Sequence, residues 1–137
     1  AGRPALPAIN LTMDSTMISA VANDIGFNHV FVRQLDALAC ARDGLIGFST
    51  SGNSTNLIEA FRKGKEIGMT TIGIAGGDGG SMKTSKNIDF CLVVESDSIH
   101  RIQEVHVTTY HIIWDLVHTL LADSRGKLAR SLKNEIC

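Results

Sequence analysis

The chain has 137 residues, of which 44% are hydrophobic and 20% charged, with thirteen glycines and two prolines. This length and composition predict one globular domain with its own core and leave no room for two independent lobes. Thirteen basic against fourteen acidic residues give a net charge of -1, which argues against nucleic-acid binding through a net cationic surface. No apolar run approaches the roughly 20 residues of a membrane span, and no basic, then apolar leader opens the chain. We therefore expect neither nucleic-acid nor membrane partners.

Cys40, Cys91 and Cys137 lie far apart and lack the CxxC spacing of a zinc or redox site. Free thiols are typical of a reducing compartment. The cysteines therefore agree with a cytoplasmic location.

Strand-like apolar runs alternate with amphipathic stretches along the chain. In chain order the pattern predicts a short β-leaning segment (7–12), two helices (15–23 and 28–39), a buried strand (44–49), a helix (54–67), a strand (69–75), a short helix around Met82, a strand (89–94) and a long helix (98–122). This alternation is typical of a parallel sheet covered on both faces, so the fold class is α/β. We expect residues 1–124 to form the domain, incomplete at its N-terminal helical part, and residues 125–137 to form a C-terminal tail.

The turn that follows the first buried strand has the sequence Ser-Thr-Ser-Gly-Asn-Ser at positions 49–54. It lies where the strand ends and a helix begins, the usual ligand edge of a parallel sheet. Its hydroxyls and the positive end of the helix predict an anion site, and a phosphate is the natural ligand. Because no Gly-Lys-Ser/Thr follows, we expect a phosphate monoester that is held, not transferred. The alternative interpretation is a helix-capping cluster in which Ser54 caps the helix.

The long helix has two faces. At about 100° per residue, one apolar stripe is predicted to pack on the sheet, and it comprises Ile102, Val105, Ile112, Ile113, Leu116 and Leu120. His100, His111 and His118 lie within roughly 20° of each other on the opposite side. Beside this histidine row lie Gln103, Val107, Trp114 and Leu121. An apolar face turned away from its own sheet is seldom left in water, so we expect it to contact another subunit.

Gln103 and His111 are eight residues apart, about two turns of helix and roughly 80° in azimuth, so both could reach one site. An imidazole titrates near neutrality or binds zinc, and a glutamine oxygen can hold a substrate hydroxyl or a metal. Two ligands are too few for a catalytic zinc, which normally takes three from the protein.

Three motifs carry a resemblance to a known family. The string IGFSTSGNSTNLIEAFRKGKEIGMTTIGIAGGDGG, preceded by ANDIGFNHVFVRQLDALA and followed by HRIQEVHVTTYHIIWDLV, resembles the sugar isomerase (SIS) domain family over about residues 4–121. Within that family it is most similar to the isomerases that act on sedoheptulose 7-phosphate. The resemblance implies a flavodoxin-like three-layer sandwich in a homotetramer with active sites between subunits. It also implies conversion of D-sedoheptulose 7-phosphate to D-glycero-D-manno-heptose 7-phosphate, a step toward lipopolysaccharide or capsule.

The resemblance also implies roles for individual residues. The family's phosphate loop falls on Ser49, Thr50, Ser51 and Ser54, and its sugar-contacting pair falls on Asn23 and Asp24. Gln103 corresponds to a substrate contact and zinc ligand. His111 corresponds to a second zinc ligand and the catalytic acid or base. The implied cofactor is therefore zinc.

Two departures from the family pattern bear on these roles. The family's Gly-rich GNGGSA-type loop and His-x-x-x-Glu helix, which carry the general base and two zinc ligands, have no counterpart here. His100 stands where the family usually has an acidic or small residue, which leaves the exact substrate open. The alternative function is a non-catalytic tetrameric SIS scaffold that binds the replication initiator. A phosphosugar-sensing regulator ranks last, because the chain carries no DNA-binding segment. The turn STSGNS, without an acidic fifth residue, favours the enzyme.

Overall fold

The computed structural model describes residues 5–123. Its elements follow in chain order as α1 (Ser15–Asp24), a 3-10 turn (Phe27–His29), α2 (Val32–Leu38), β1 (Gly44–Ser49), α3 (Thr55–Ile67), β2 (Thr70–Gly76), α4 (Gly80–Thr84), β3 (Phe90–Val94) and α5 (Ile99–Asp123). The predicted α/β class is confirmed. Each of the three buried runs predicted as strands forms one, with ends shifted by at most one residue.

The three strands form one parallel sheet in the order β1-β2-β3. Gly47 of β1 lies opposite Gly73 of β2, and Ile72 of β2 lies opposite Phe90 of β3. Because parallel strands all point the same way, the turns that follow β1 and β2 leave the sheet at the same edge.

Helices α3 and α4 cover one face of the sheet, and α5 covers part of the other. Phe61 of α3 and Met82 of α4 are fully buried in the core under this first face. A Cβ at Gly47 would lie 2.7 Å from the Phe61 ring, and a Cβ at Gly73 would lie 2.8 Å from the Met82 methyl carbon. The two neighbouring glycines therefore let both helices approach the sheet closely.

The β-leaning segment predicted at 7–12 is not a strand. The buried Gln34 side chain fastens it instead, because Nε2 donates hydrogen bonds to the carbonyls of Leu11 (2.9 Å) and Val30 (3.0 Å). The composition of residues 7–12 is typical of a strand, but a strand forms only where a neighbouring strand pairs with it. Here a glutamine amide from α2 hydrogen-bonds the Leu11 carbonyl of this segment.

The first N-terminal helix forms as the sequence predicts, at 15–24 where 15–23 was expected, whereas the second is broken. Asp14 caps α1, and its Oδ1 accepts a hydrogen bond from the Met17 backbone amide at 2.9 Å. The helix predicted at 28–39 divides into the 3-10 turn and α2, which begins at Val32. Tertiary packing around the buried Val30 interrupts the helix that the apolar spacing indicates.

Helix α5 contacts the sheet near its N-terminal end. Its buried residues are Ile102, against Gly76, and His106, whose Nε2 lies 3.2 Å from the Ala75 carbonyl oxygen. The carbonyl can only accept, so Nε2 carries the hydrogen. The predicted apolar stripe is wrong beyond Ile102: Ile113 is only partly buried, and the exposed members are Val105, Ile112, Leu116 and Leu120.

The length of α5 explains this difference. A helix of 25 residues extends about 37 Å, whereas a sheet of three strands is only about 10 Å across between its outer strands. None of the helices within residues 5–123 has the length and apolar character that a bilayer crossing requires. The predicted tail, residues 125–137, lies outside the described residues.

Candidate functional site: the hydroxyl-lined turn after β1

The turn at residues 49–54 joins the end of β1 to the start of α3. Ser49 and Gly52 are its buried residues, and the Ser49 Oγ accepts a hydrogen bond from the Gly52 backbone amide at 3.1 Å. The same Oγ lies 2.9 Å from the Ser54 hydroxyl. Ser51 is exposed, and its Oγ accepts from the Asn53 amide at 3.2 Å. Hydroxyls of all three serines therefore lie within one turn at the ligand edge of the sheet.

The capping alternative fails for Ser54. This residue occupies the N-cap position of α3, but its side chain makes no capping hydrogen bond, because its hydroxyl pairs with Ser49. The first turn of α3 also contains no acidic residue. The positive end of a 13-residue helix thus faces this turn without a carboxylate to neutralise it. Such an arrangement can bind an anion.

A second turn, which follows β2, lies directly against the first. Gly52 has a φ of 66°, and a Cβ there would lie 2.0 Å from the Gly79 carbonyl oxygen. The Gly52 carbonyl accepts a hydrogen bond from the backbone amide of Met82 at 2.9 Å. Only glycine fits at position 52, both for its backbone conformation and for the space available. The turn after β2 therefore bounds one side of the turn at 49–54.

Asn23 and Asp24, predicted as sugar contacts, lie at the C-terminal end of α1 and are exposed. The Asn23 amide donates a hydrogen bond to Asp24 at 3.0 Å. Within the described residues neither side chain has a hydrogen bond to the turn at 49–54. A link to α3 is nevertheless present, because Thr55 Oγ1 donates to Asn28 Oδ1 at 2.6 Å. Sequence reasoning did not identify this bond, which fixes the 3-10 turn after α1 beside the start of α3.

Gln103 and His111 are both exposed on α5. Gln103 lines a shallow open depression on α5 together with His100, Glu104, Val107 and Thr108. His111 lies two turns further along and packs against Tyr110, with ring centroids 4.2 Å apart and ring planes tilted by 40°. The structure thus gathers the predicted phosphate loop but leaves these two side chains on an open helix surface.

The described residues do not make up a zinc site. They contain no group of three or more histidine, cysteine, aspartate or glutamate side chains placed to hold one metal ion. Gln103 and His111 supply two donors at most, and their backbones are about 12 Å apart along the helix. Catalytic zinc usually takes three protein ligands, so zinc binding stays a prediction.

The fold and this turn together define a parallel α/β domain with a hydroxyl-lined turn at the carboxyl edge of its sheet. A family model described as SIS domain matches residues 1–76, more than half of the chain. The chain belongs to the SIS domain family.

Named relatives agree with this assignment. A phosphoheptose isomerase of Helicobacter pylori (strain HPAG1) is 47% identical over 115 residues, which cover 84% of this chain and 59% of the relative. One of Sulfurimonas denitrificans is 48% identical, with 84% and 58% covered.

Two solved structures share the fold. A phosphoheptose isomerase from Neisseria gonorrhoeae aligns with a TM-score of 0.76 at 42% identity, covering 80% of this chain and 61% of that one. One from Francisella tularensis aligns with a TM-score of 0.80 at 37% identity, covering 85% and 62%. The chain thus spans about three fifths of the length of the relatives that it matches.

Proposed function

We propose that the protein is a sugar-phosphate aldose–ketose isomerase that converts D-sedoheptulose 7-phosphate to D-glycero-D-manno-heptose 7-phosphate. The observation that carries the proposal is the turn at 49–54, where the Ser49 and Ser54 hydroxyls lie 2.9 Å apart at the start of a helix without a side-chain cap. Relatives 47% and 48% identical to the chain are named phosphoheptose isomerases. The reaction feeds heptose synthesis for lipopolysaccharide or capsule.

The turn at 49–54 binds the phosphate end of the substrate in this proposal. Hydroxyls of Ser49, Thr50, Ser51 and Ser54 and the first amides of α3 donate hydrogen bonds to the phosphate oxygens. Holding the phosphate fixes the position of the carbonyl at the other end of the sugar, which lowers the entropic part of the barrier. Asn23, Asp24 and Gln103 bind sugar hydroxyls.

Proton transfer is assigned to His111. An aldose–ketose shift removes a proton from the carbon beside the carbonyl and returns one to the neighbouring carbon through an enediolate. An imidazole can both accept and donate a proton, so it can exchange one with the substrate oxygen or carbon. Zinc, if bound through Gln103 and His111 with further ligands, would polarise the substrate oxygens.

The site is proposed to lie between subunits of a homotetramer. His111 is exposed and lies about 12 Å along the helix from Gln103, on the part of α5 that extends past the sheet. Exposed apolar side chains flank it, including Tyr110, Ile112 and Trp114. A second copy that covers this surface would bury these side chains and bring His111 to a neighbouring phosphate turn. A cytoplasmic location stays a prediction.

The test combines binding and turnover in the full-length protein. Ser51→Ala with Ser54→Ala should weaken binding of sedoheptulose 7-phosphate at least tenfold by calorimetry, because two hydrogen bonds to a charged group are lost. Ser15→Ala, an exposed serine on α1, is the control and should bind as the wild type does. Unchanged affinity in the double variant removes the phosphate assignment. Phosphate binding without any isomerisation in a proton-exchange NMR assay favours the scaffold alternative.

A further inference from the structure

One side chain ties the turn at 49–54 to the turn that follows β2. The Asn53 Oδ1 atom accepts hydrogen bonds from the Ser81 backbone amide at 2.9 Å and from the Ser81 hydroxyl at 2.8 Å. Its Nδ2 atom donates to the Ser51 carbonyl oxygen at 3.0 Å. The side-chain oxygen of Asn53 thus bonds to Ser81 after β2, and its nitrogen bonds to Ser51 in the turn at 49–54. We call Asn53, Ser51 and Ser81 the amide clamp.

The amide clamp is anchored to the core next to it. The Met82 backbone amide donates to the Gly52 carbonyl at 2.9 Å, and the Met82 side chain is fully buried. Position 80 leaves no room for a side chain, because a Cβ there would lie 2.5 Å from the Ser51 carbonyl oxygen and 2.6 Å from Asn53 Nδ2. The clamp therefore holds the Ser51 carbonyl in one place.

We propose that Asn53 is a positioning residue that sets the affinity of the turn for phosphate, an inference that rests on the proposed function. The Asn53 Nδ2 atom donates to the Ser51 carbonyl, and the backbone N–H of Asn53 donates to the Ser51 hydroxyl. The donors of the turn consequently have their binding geometry before the ligand arrives. A ligand that meets a preorganised site does not bear the cost of ordering it. Asn53 acts through Ser51, not through contact with the substrate.

The chemistry of the clamp explains why the side chain is a primary amide. A carboxylate at position 53 would keep both acceptor bonds to Ser81, but it could not donate to the Ser51 carbonyl. It would also place a negative charge beside a site for an anion. Alanine would remove all three side-chain bonds and leave the charge unchanged.

The experiment measures phosphate binding and steady-state kinetics of the full-length protein. Asn53→Ala should raise the Kd for inorganic phosphate and the KM for sedoheptulose 7-phosphate about tenfold, while kcat stays within twofold of the wild type. Asn53→Asp should raise both further. The matched control is Asn10→Ala, because Asn10 Oδ1 also accepts from the amide and hydroxyl of one residue, Thr12, but lies in the N-terminal segment. It should leave Kd and KM unchanged.

A double-variant cycle distinguishes positioning from direct contact. Ser81→Ala removes one of the clamp's bonds, so the effect of Asn53→Ala on the phosphate Kd should be at least twofold smaller in that background. An equal effect in both backgrounds means that Asn53 contacts the ligand itself, and it overturns the positioning role. A Kd within twofold of wild type in Asn53→Ala also overturns it while the proposed function stands. A wild-type protein that binds no phosphate overturns the proposed function, and this inference with it.

Discussion

The contact between the turns after β1 and β2 predicts an unusually high cost for adding one methyl group at Gly52. A Cβ there would lie 2.0 Å from the Gly79 carbonyl oxygen, well inside the 3.0 Å below which real Cβ contacts essentially never occur. The φ of 66° adds a backbone penalty, which for a residue other than glycine is about 1–2 kcal/mol. Gly52→Ala must therefore strain the backbone and separate the two turns.

The magnitude follows from the bonds that this separation breaks. Moving the turns apart by about 1 Å removes the Met82-to-Gly52 hydrogen bond and both bonds between Asn53 and Ser81. At about 0.7 kcal/mol for each of the three bonds, within the range of about 0.5–1.5 kcal/mol typical of a hydrogen bond, their loss adds about 2 kcal/mol to the backbone term. We expect Gly52→Ala to lower the free energy of unfolding by about 3–4 kcal/mol.

Gly77 offers a matched control for this prediction. Its φ is 65°, but a Cβ at this position would meet nothing within 4 Å. Gly77→Ala should therefore cost only the backbone term, about 1–2 kcal/mol. Urea unfolding of both variants, followed by circular dichroism, measures the difference at constant m. Equal costs for the two substitutions would show that the turns are not in contact and refute the reasoning.

Two further predictions concern proton transfer and acid stability. His111→Ala should abolish turnover while light scattering still detects the wild-type assembly, and wild-type turnover would make the histidine structural. The Lys65 ammonium and the Thr71 amide and hydroxyl lower the pKa of Asp89 from 3.8 to about 2. A carboxyl whose folded pKa is depressed adds stability above its unfolded pKa and loses it as the pH falls. The wild type should therefore lose stability between pH 4 and pH 2, and Asp89→Asn should lose less over the same range. The measurement is Tm as a function of pH, and the same slope of Tm against pH in both proteins contradicts the prediction.

The sheet and the hydroxyl-lined turn at 49–54 could be predicted from sequence because their signals are local. Buried strands read as short apolar runs between turn residues, as at 44–49 and 89–94. The turn at 49–54 was recognisable because hydroxyls, a glycine and a following helix are adjacent in the chain. The prediction that this turn binds an anion rests on the rule that ligands bind at the carboxyl ends of parallel strands.

Long-range contacts were not predictable in this way. Asn53 and Ser81 are 28 residues apart, and nothing in either local pattern marks them as partners. The interior face of α5 was misassigned because the periodicity contains two apolar stripes. Which of the two stripes packs on the sheet depends on where α5 crosses the sheet, and this sheet has only three strands. A polar residue, His106, fills a position on that inner face because the Ala75 carbonyl accepts its Nε2 hydrogen.

The paired glycines in the middle of β1 and β2 have a consequence for variation of this protein. Gly47 and Gly73 set how low α3 and α4 rest over the strands, and the turns preceding those helices meet at Gly52. A larger residue at Gly47 would push α3 away from the sheet, and a larger residue at Gly73 would push α4 away. The turn from which that helix starts would move with it. We therefore expect substitutions at these interior glycines to change both the packing of the helices and the affinity of the turn at 49–54 for phosphate, although neither glycine belongs to that turn.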